Sequence, residues 1–301
     1  MINFPKKSEP LRVEFELTNH CNATCIFCPR DRIKEKGYMN IDEFSQFLKK
    51  LKLFKQEMTL NQTFQENYPI LVFGGYGEAL LHPAFFLFLS IAKKEGFKTE
   101  LITNGFLLKE NIVKKLIEYK IDKVALSLHT LNPQINKKIT LLPDVIPIIE
   151  KALEQFDKSE VNIEIWRVSN FDGTLFDENS AESYKNFLNK YTKEIAVLGP
   201  TPAWNRGGQY NSNYHPLVND SKQIRCQTMF FNWSISFNGD VVLCCCDFSG
   251  KTTILATNWN INFDEIQEKI LFFQKQKPKM CQNCRKPKDN YYQELYKTEF
   301  P

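Results

Sequence analysis

The segment CNATCIFCPR, residues 21–30, places Cys21, Cys25 and Cys28 within eight positions. Thiolates are soft ligands for zinc, copper(I) and iron–sulfur clusters. A structural zinc site closes a tetrahedron with four ligands, and this stretch supplies no fourth cysteine, with only His20 adjacent. Three thiolates on an iron–sulfur cluster leave one iron open to a chelating cofactor or substrate. A fragment of a zinc site is the plainer reading of the same residues.

Six more cysteines, Cys226, Cys244, Cys245, Cys246, Cys281 and Cys284, lie in the last quarter, with none between Cys28 and Cys226. Two separated groups of this kind predict two metal sites. In the second group, WSISFNGDVVLC (233–244) reads as a hairpin turning at Asn238–Gly239, a pair suited to a type I′ turn. Pairing across that turn sets Cys244 opposite Trp233. On a strand Cys244 and Cys246 would share one face and Cys245 the other. A Cys-x2-Cys loop, Cys281 to Cys284, can close such a site as an iron–sulfur cluster or as structural zinc.

Strands and helices alternate from residue 11 to 198. β-rich runs fall at 11–17, 69–75, 97–103, 122–129, 161–168 and 194–199. Amphipathic helical stretches fall at 41–54, 83–96 and 107–120, the first with Phe44, Phe47, Leu48 and Leu51 on one face. The alternation predicts an α/β fold, a parallel sheet with helices outside, and six units make a partial (β/α)6 barrel rather than a closed one of eight. Residues 57–68 read as a polar insertion. Residues 201–225, rich in Gly, Pro and Asn, read as a long irregular connection. A helix over 263–277 and a short last helix follow. The division expected is 1–200 for the barrel and 201–301 for a small hairpin-plus-helix domain carrying the second cysteine group.

Hydrophobic residues make up 43% of the chain and charged residues 25%, with a net charge of +4, an ordinary globular balance. No basic stripe with interleaved aromatics predicts nucleic-acid binding. The N-terminus is charged where a signal peptide is apolar. No run approaches the roughly 18 apolar residues of a membrane span. A cytoplasmic protein is expected, in a compartment where cysteines serve as ligands more than as disulfides.

Cys-x3-Cys-x2-Cys, with Phe27 before the last cysteine and the first strand before the loop, resembles the radical S-adenosylmethionine superfamily. The resemblance implies a [4Fe–4S] cluster on Cys21, Cys25 and Cys28 whose open iron binds S-adenosylmethionine, which is cleaved to a 5′-deoxyadenosyl radical. GGYGEALLHP (74–83) is similar to the family's glycine-rich segment, implying that Gly75, Gly77 and Glu78 meet the cofactor's amino group. Asn104 in TNG, Ser127 and His129 in SLH, and Arg167 in IWRVSN would face the ribose or methionine. Strand-end capping is the alternative for Ser127, His129 and Arg167, a simple turn for the glycines, and a helix start for His82.

The second group resembles the SPASM extension of such enzymes in its shortened twitch form. That implies one auxiliary [4Fe–4S] cluster on Cys226, Cys244, Cys281 and Cys284, with Cys245 and Cys246 as small buried side chains. A single auxiliary cluster implies two-electron oxidation of a small molecule such as a sugar or cyclitol, with a reducing donor such as flavodoxin or ferredoxin. Arg206 would contact substrate, or anchor its loop, and Tyr76 and Trp204 would line the pocket. Peptide modification is the alternative; the first ligand at position 21 leaves no room ahead of it for a peptide-recognition domain. A zinc-stabilised binding protein is the reading from outside enzymology.

Overall fold

A computed structural model describes residues 10–60, 69–169, 181–202, 232–247 and 253–282. Arg206, Trp204, Cys226 and Cys284 lie outside them.

Six parallel strands form the core of the sheet: β1 (Arg12–Phe15), β2 (Ile70–Phe73), β3 (Thr99–Thr103), β4 (Lys123–Ser127), β5 (Asn162–Ser169) and β6 (Ala196–Pro202). They lie side by side in sequence order. Helices α1 (Ile41–Leu60), α2 (Phe85–Lys94), α3 (Glu110–Glu118), α4 (Pro133–Thr140), α5 (Ile146–Phe156) and α6 (Ala181–Leu188) fall between them. The sheet stays open, as in a partial barrel.

Side chains alternate across each strand. Val13, Phe15, Phe73, Leu101, Leu126 and Ile165 are buried on the outer face, toward the helices. There Phe44 of α1 packs edge-on against Phe15 at 4.9 Å and Phe88 of α2 at 4.8 Å. The inner face is mixed, with Arg12, Glu14, Glu16, Glu100, Lys123 and Glu164 set among Ile70, Val72, Ile102 and Ala125. The register across β1 to β5 sets these positions on one side.

Three expectations need correction. Helix α1 runs through Leu60, so the expected insertion begins inside a helix, because no Gly or Pro between residues 55 and 60 stops it. The hairpin forms from β7 (Asn232–Ile235) and β8 (Val241–Val242), but its loop has three residues. Ser236 N donates to Asp240 O and Gly239 N to Ser236 O, with Gly239 at φ +83°, the type I turn with a left-handed third residue. The longer loop moves the register by one: Ser234 faces Val242 and the ladder ends there, so Cys244 is not paired with Trp233. Residues 244–247 then leave the strand in a turn closed by Asp247 N to Cys244 O at 2.9 Å, so strand alternation does not govern the three cysteines.

Strand β7 pairs parallel with β1, and β8 pairs with β9 (Ile254–Ala256), a strand too short to show a period. The second cysteine group therefore hangs from the same sheet as the barrel. Helix α7 (Phe263–Lys275) is capped by Asn262, whose Oδ1 accepts from Asp264 N and Glu265 N, and Phe263 stacks on Phe54 of α1 at 4.6 Å. The four-residue α8 (Lys279–Gln282) carries Cys281. No helix among the described residues is long and apolar enough to cross a membrane.

Candidate functional site

The C-terminal ends of β1, β2, β3 and β4 converge on the loop holding Cys21, Cys25 and Cys28. Backbone amides fix that loop to the end of α4: Thr24 N donates to Thr140 O and Ile26 N to Ile139 O, both at 2.9 Å. These are terminal helix carbonyls with no partner inside the helix. Cys28 N donates to Cys25 O at 3.0 Å, and Ala23 N to the Cys21 sulfur at 3.4 Å. Arg30 braces the loop through Cys21 O and Thr24 Oγ1. Burial raises the Cys21 and Cys25 thiols above their ordinary range, a cost that a bound metal reverses by holding thiolate.

The glycines after β2 bring their loop onto the end of β1. Gly75 has φ +100°, and a Cβ there would meet the Glu16 side chain at 2.9 Å. A Cβ on Gly77 would sit 1.9 Å from the Thr18 carbonyl oxygen, so only glycine permits this approach.

Glu78 follows, only 2% exposed, and its carboxylate is committed to β3. Oε1 accepts from Thr103 Oγ1 at 2.9 Å and Oε2 from Asn104 N at 3.0 Å. Burial lifts its carboxyl to about 7 against these hydrogen bonds. Through Asn104 N, Glu78 also holds Asn104 in place. Asn104 Nδ2 in turn donates to Asn22 Oδ1 at 2.8 Å and lies 4.0 Å from the Cys21 sulfur.

Ser127 ends β4 on the inner face, paired with Trp166. Arg167 does not face the site. It shares the outer face of β5 with Ile163 and Ile165, is 5% exposed, and its guanidinium lies 4.3 Å over the Tyr184 ring of α6. His82 binds the Met39 carbonyl and accepts from Ala84 N at a helix start. His129 is 7% exposed, edge-on to Phe27 at 5.0 Å, and burial lowers its pKa to about 4, leaving it neutral near pH 7.

Sequence reasoning missed Glu16. It stands on the inner face beyond β1, accepts from Tyr76 N at 3.0 Å, and is raised by burial to about 7. The alternation Arg12, Glu14, Glu16 was the available signal. Tyr76 also donates through its hydroxyl to the Cys245 carbonyl, tying the glycine loop to the second cysteine group. There the sulfurs of Cys244, Cys245 and Cys246 lie within 4.8 Å of one another. Hydrogen bonds with its two neighbours, then burial, push the Cys244 thiol well up. Cys281 is half-buried against the core.

The first loop suits a thiolate-bound cluster. Three cysteines share it, an amide points at one sulfur, and the buried Asn22 Nδ2 and His129 Nδ1 beside it have no hydrogen-bond partner among the described residues. Leaving such a group unpaired costs about 1–3 kcal/mol, so both fit a neighbour that accepts or donates there.

Over 127 residues the chain is 32% identical to the tungsten-containing aldehyde ferredoxin oxidoreductase cofactor-modifying protein of Pyrococcus furiosus, a match spanning 42% of this chain and 32% of that protein. BtrN in complex with AdoMet and 2-DOIA superposes with a TM-score of 0.62 at 17% identity, over 95% of this chain and 99% of that one. Native anSMEcpe with bound AdoMet and Cp18Cys peptide gives 0.62 at 18% identity, over 97% of each. At these identities the structures share the fold. The Radical SAM superfamily model matches residues 15–168, just over half of the chain and the stretch that runs from β1 through the cysteine loop, the glycine loop and β5; this protein belongs to the radical SAM superfamily.

Proposed function

We propose that the protein is a cytoplasmic radical S-adenosylmethionine oxidoreductase that removes two electrons from a small polar molecule such as a sugar or cyclitol. When bound, a [4Fe–4S] cluster and S-adenosylmethionine supply a 5′-deoxyadenosyl radical that abstracts a substrate hydrogen atom. Cys21, Cys25 and Cys28 hold the cluster; the backbone at Gly75 and Gly77 receives the cofactor, and Asn104, fixed by Glu78, and Ser127 orient it. Cys244 and Cys281, with Cys226 and Cys284, form the ligand set of one auxiliary [4Fe–4S] cluster. The nine cysteines suffice for both sites.

The observation that carries this reading is the bridge made by Tyr76. One residue joins the glycine loop, the Glu16 carboxylate and the 244–246 turn, so both thiol-rich sites border one inner face. Glu14 and Glu16 give that face the hydrogen-bond acceptors a hydroxylated or amine-bearing substrate needs. A carboxyl near 7 is also matched to taking a proton at neutral pH. Peptide modification is the second reading, favoured by the equal likeness to anSMEcpe with its bound peptide.

Iron and acid-labile sulfide after anaerobic reconstitution test the cofactor content. About eight irons per chain, falling to about four in a Cys21→Ala, Cys25→Ala, Cys28→Ala triple variant, is the expected result for two cubane sites. About four falling to none, with zinc present, would remove the auxiliary cluster and the oxidoreductase reading with it.

A further inference from the structure

Asn104, just beyond β3, has its side chain fixed at both ends. Its backbone N donates to Glu78 Oε2 at 3.0 Å, and Thr103 beside it donates to Oε1 of the same carboxylate at 2.9 Å. Its side-chain oxygen accepts from Phe106 N at 3.0 Å. A backbone amide can only donate, so this contact settles which end of the Asn104 amide is oxygen. The Nδ2 end therefore points the other way. One of its hydrogens goes to Asn22 Oδ1 at 2.8 Å, and the same nitrogen lies 4.0 Å from the Cys21 sulfur. The Asn22 amine is buried with no partner among the described residues, so no bond at that end turns the Asn22 oxygen away from Asn104.

The state of Cys21 decides what the second Nδ2 hydrogen does. As a thiol, Cys21 donates toward Asn22 Oδ1 at 3.9 Å. A metal-bound cysteine has given up that proton, and its sulfur is then an acceptor alone. Two donors face it: Ala23 N at 3.4 Å and Asn104 Nδ2. Hydrogen bonds to a charged acceptor are shorter and stronger than neutral ones, so ionisation draws the 4.0 Å contact in. Ala23 N comes with the loop whatever its side chains are. Asn104 is the donor that this sequence brings in from another strand.

We propose that Asn104 donates a hydrogen bond through Nδ2 to the Cys21 thiolate and thereby raises the midpoint potential of the cluster that Cys21, Cys25 and Cys28 hold. Asn22 and Glu78 are positioning residues for that bond. The inference rests on the reading of those cysteines as cluster ligands, and it adds to the role of Asn104 toward the bound cofactor. Hydrogen bonds to the sulfurs favour the more negative, reduced cluster and so set its potential. Losing one such bond to a charged acceptor shifts the reduction equilibrium by about tenfold, which for a one-electron couple is about 59 mV.

The test is a potential titration of the reconstituted holoenzyme with dithionite, followed by EPR. S-adenosylmethionine is left out, so that contacts to it do not enter. The first cluster is the signal that the Cys21→Ala, Cys25→Ala, Cys28→Ala triple variant lacks. Asn104→Leu keeps the size of the side chain and removes both Nδ2 hydrogens. Its first-cluster potential should fall by about 59 mV, and pulsed EPR after exchange into D2O should show one deuteron coupling fewer than wild type. Asn104→Asp keeps the acceptor for Phe106 N and serves where the leucine variant does not load iron. It too should lose that deuteron, a readout its added charge does not mimic. An unmoved potential in iron-loaded Asn104→Leu, or a deuteron coupling retained in either variant, overturns the proposal. Loss of the first cluster from both variants overturns it as well, since Asn104 would then hold the loop and not tune the metal. A wild-type chain that reconstitutes no iron–sulfur cluster overturns the cluster reading and this inference together.

Discussion

Glu78 shows how burial and a hydrogen-bond network together set the charge of a residue beside the cysteine loop. Its carboxyl is held at about 7 by burial when folded, and returns to an ordinary 4.5 in the unfolded chain. Below pH 4.5 both states keep the proton. Between 4.5 and 7 the unfolded chain releases it first, so this group's contribution to stability falls as pH rises. His129, lowered to about 4, acts in the opposite sense between 4 and 6.5. The readout is therefore the difference between two proteins. Glu78→Gln, neutral throughout, should gain stability relative to wild type as pH goes from 4.5 to 7, measured as the urea midpoint; a constant difference would place the titration elsewhere. That Cys21, Cys25 and Cys28 share one loop after the first strand was legible from their spacing in the sequence. Arg167 was not misread for lack of signal: Ile163 and Ile165 share its parity, and period two already assigns it to the helix side.

Elements were legible where their periods ran long, and less so where a loop decides geometry. All six parallel strands fall within the expected runs or a few residues beyond them. The hairpin failed by one residue because Asn238–Gly239 suits a two-residue turn as well as the three-residue loop observed, and one residue of register moves every later side chain. The approach of the glycine loop to β1 is similar in kind: its tightness is invisible until two backbones meet. Gly77→Ala would force a Cβ to 1.9 Å from a backbone oxygen, which no rotamer change relieves. A loss of at least about 2 kcal/mol in stability and a fall in bound iron are expected, by urea titration and iron assay. Gly96→Ala is the control, because φ +86° strains alanine there but nothing lies within 4 Å. It should cost about 1 kcal/mol with iron content unchanged.

At the scale of the molecule, a buried parallel sheet ordinarily reads as continuous apolar runs, and here charged residues alternate into it instead. Their partners are other strands far away in sequence, which is why they were not assembled from it. Arg12 binds Glu100 through two hydrogen bonds of 2.8 and 2.9 Å, Lys123 lies 3.0 Å from both Glu100 and Glu164, and Trp166 Nε1 donates to Glu164 at 2.9 Å. This network crosses β1, β3, β4 and β5 at their N-terminal ends, away from the cysteine loop. It satisfies the charged groups of the inner face at this level, with Glu16 and Ser127 lying beyond it toward the C-terminal ends of β1 and β4. Burial would raise the Glu100 carboxyl, but Arg12 and Lys123 outweigh it and hold it below 4.5; its stabilising effect is present above that value and lost as pH falls through the depressed one. Removing a single partner strands a buried charge. Arg12→Met is expected to lower stability by about 3 kcal/mol, while Arg12→Met with Glu100→Leu recovers much of it, both by urea titration. A double variant no better than the single would mean that Lys123 alone already satisfies Glu100, and that the floor of the barrel is held by packing and not by charge.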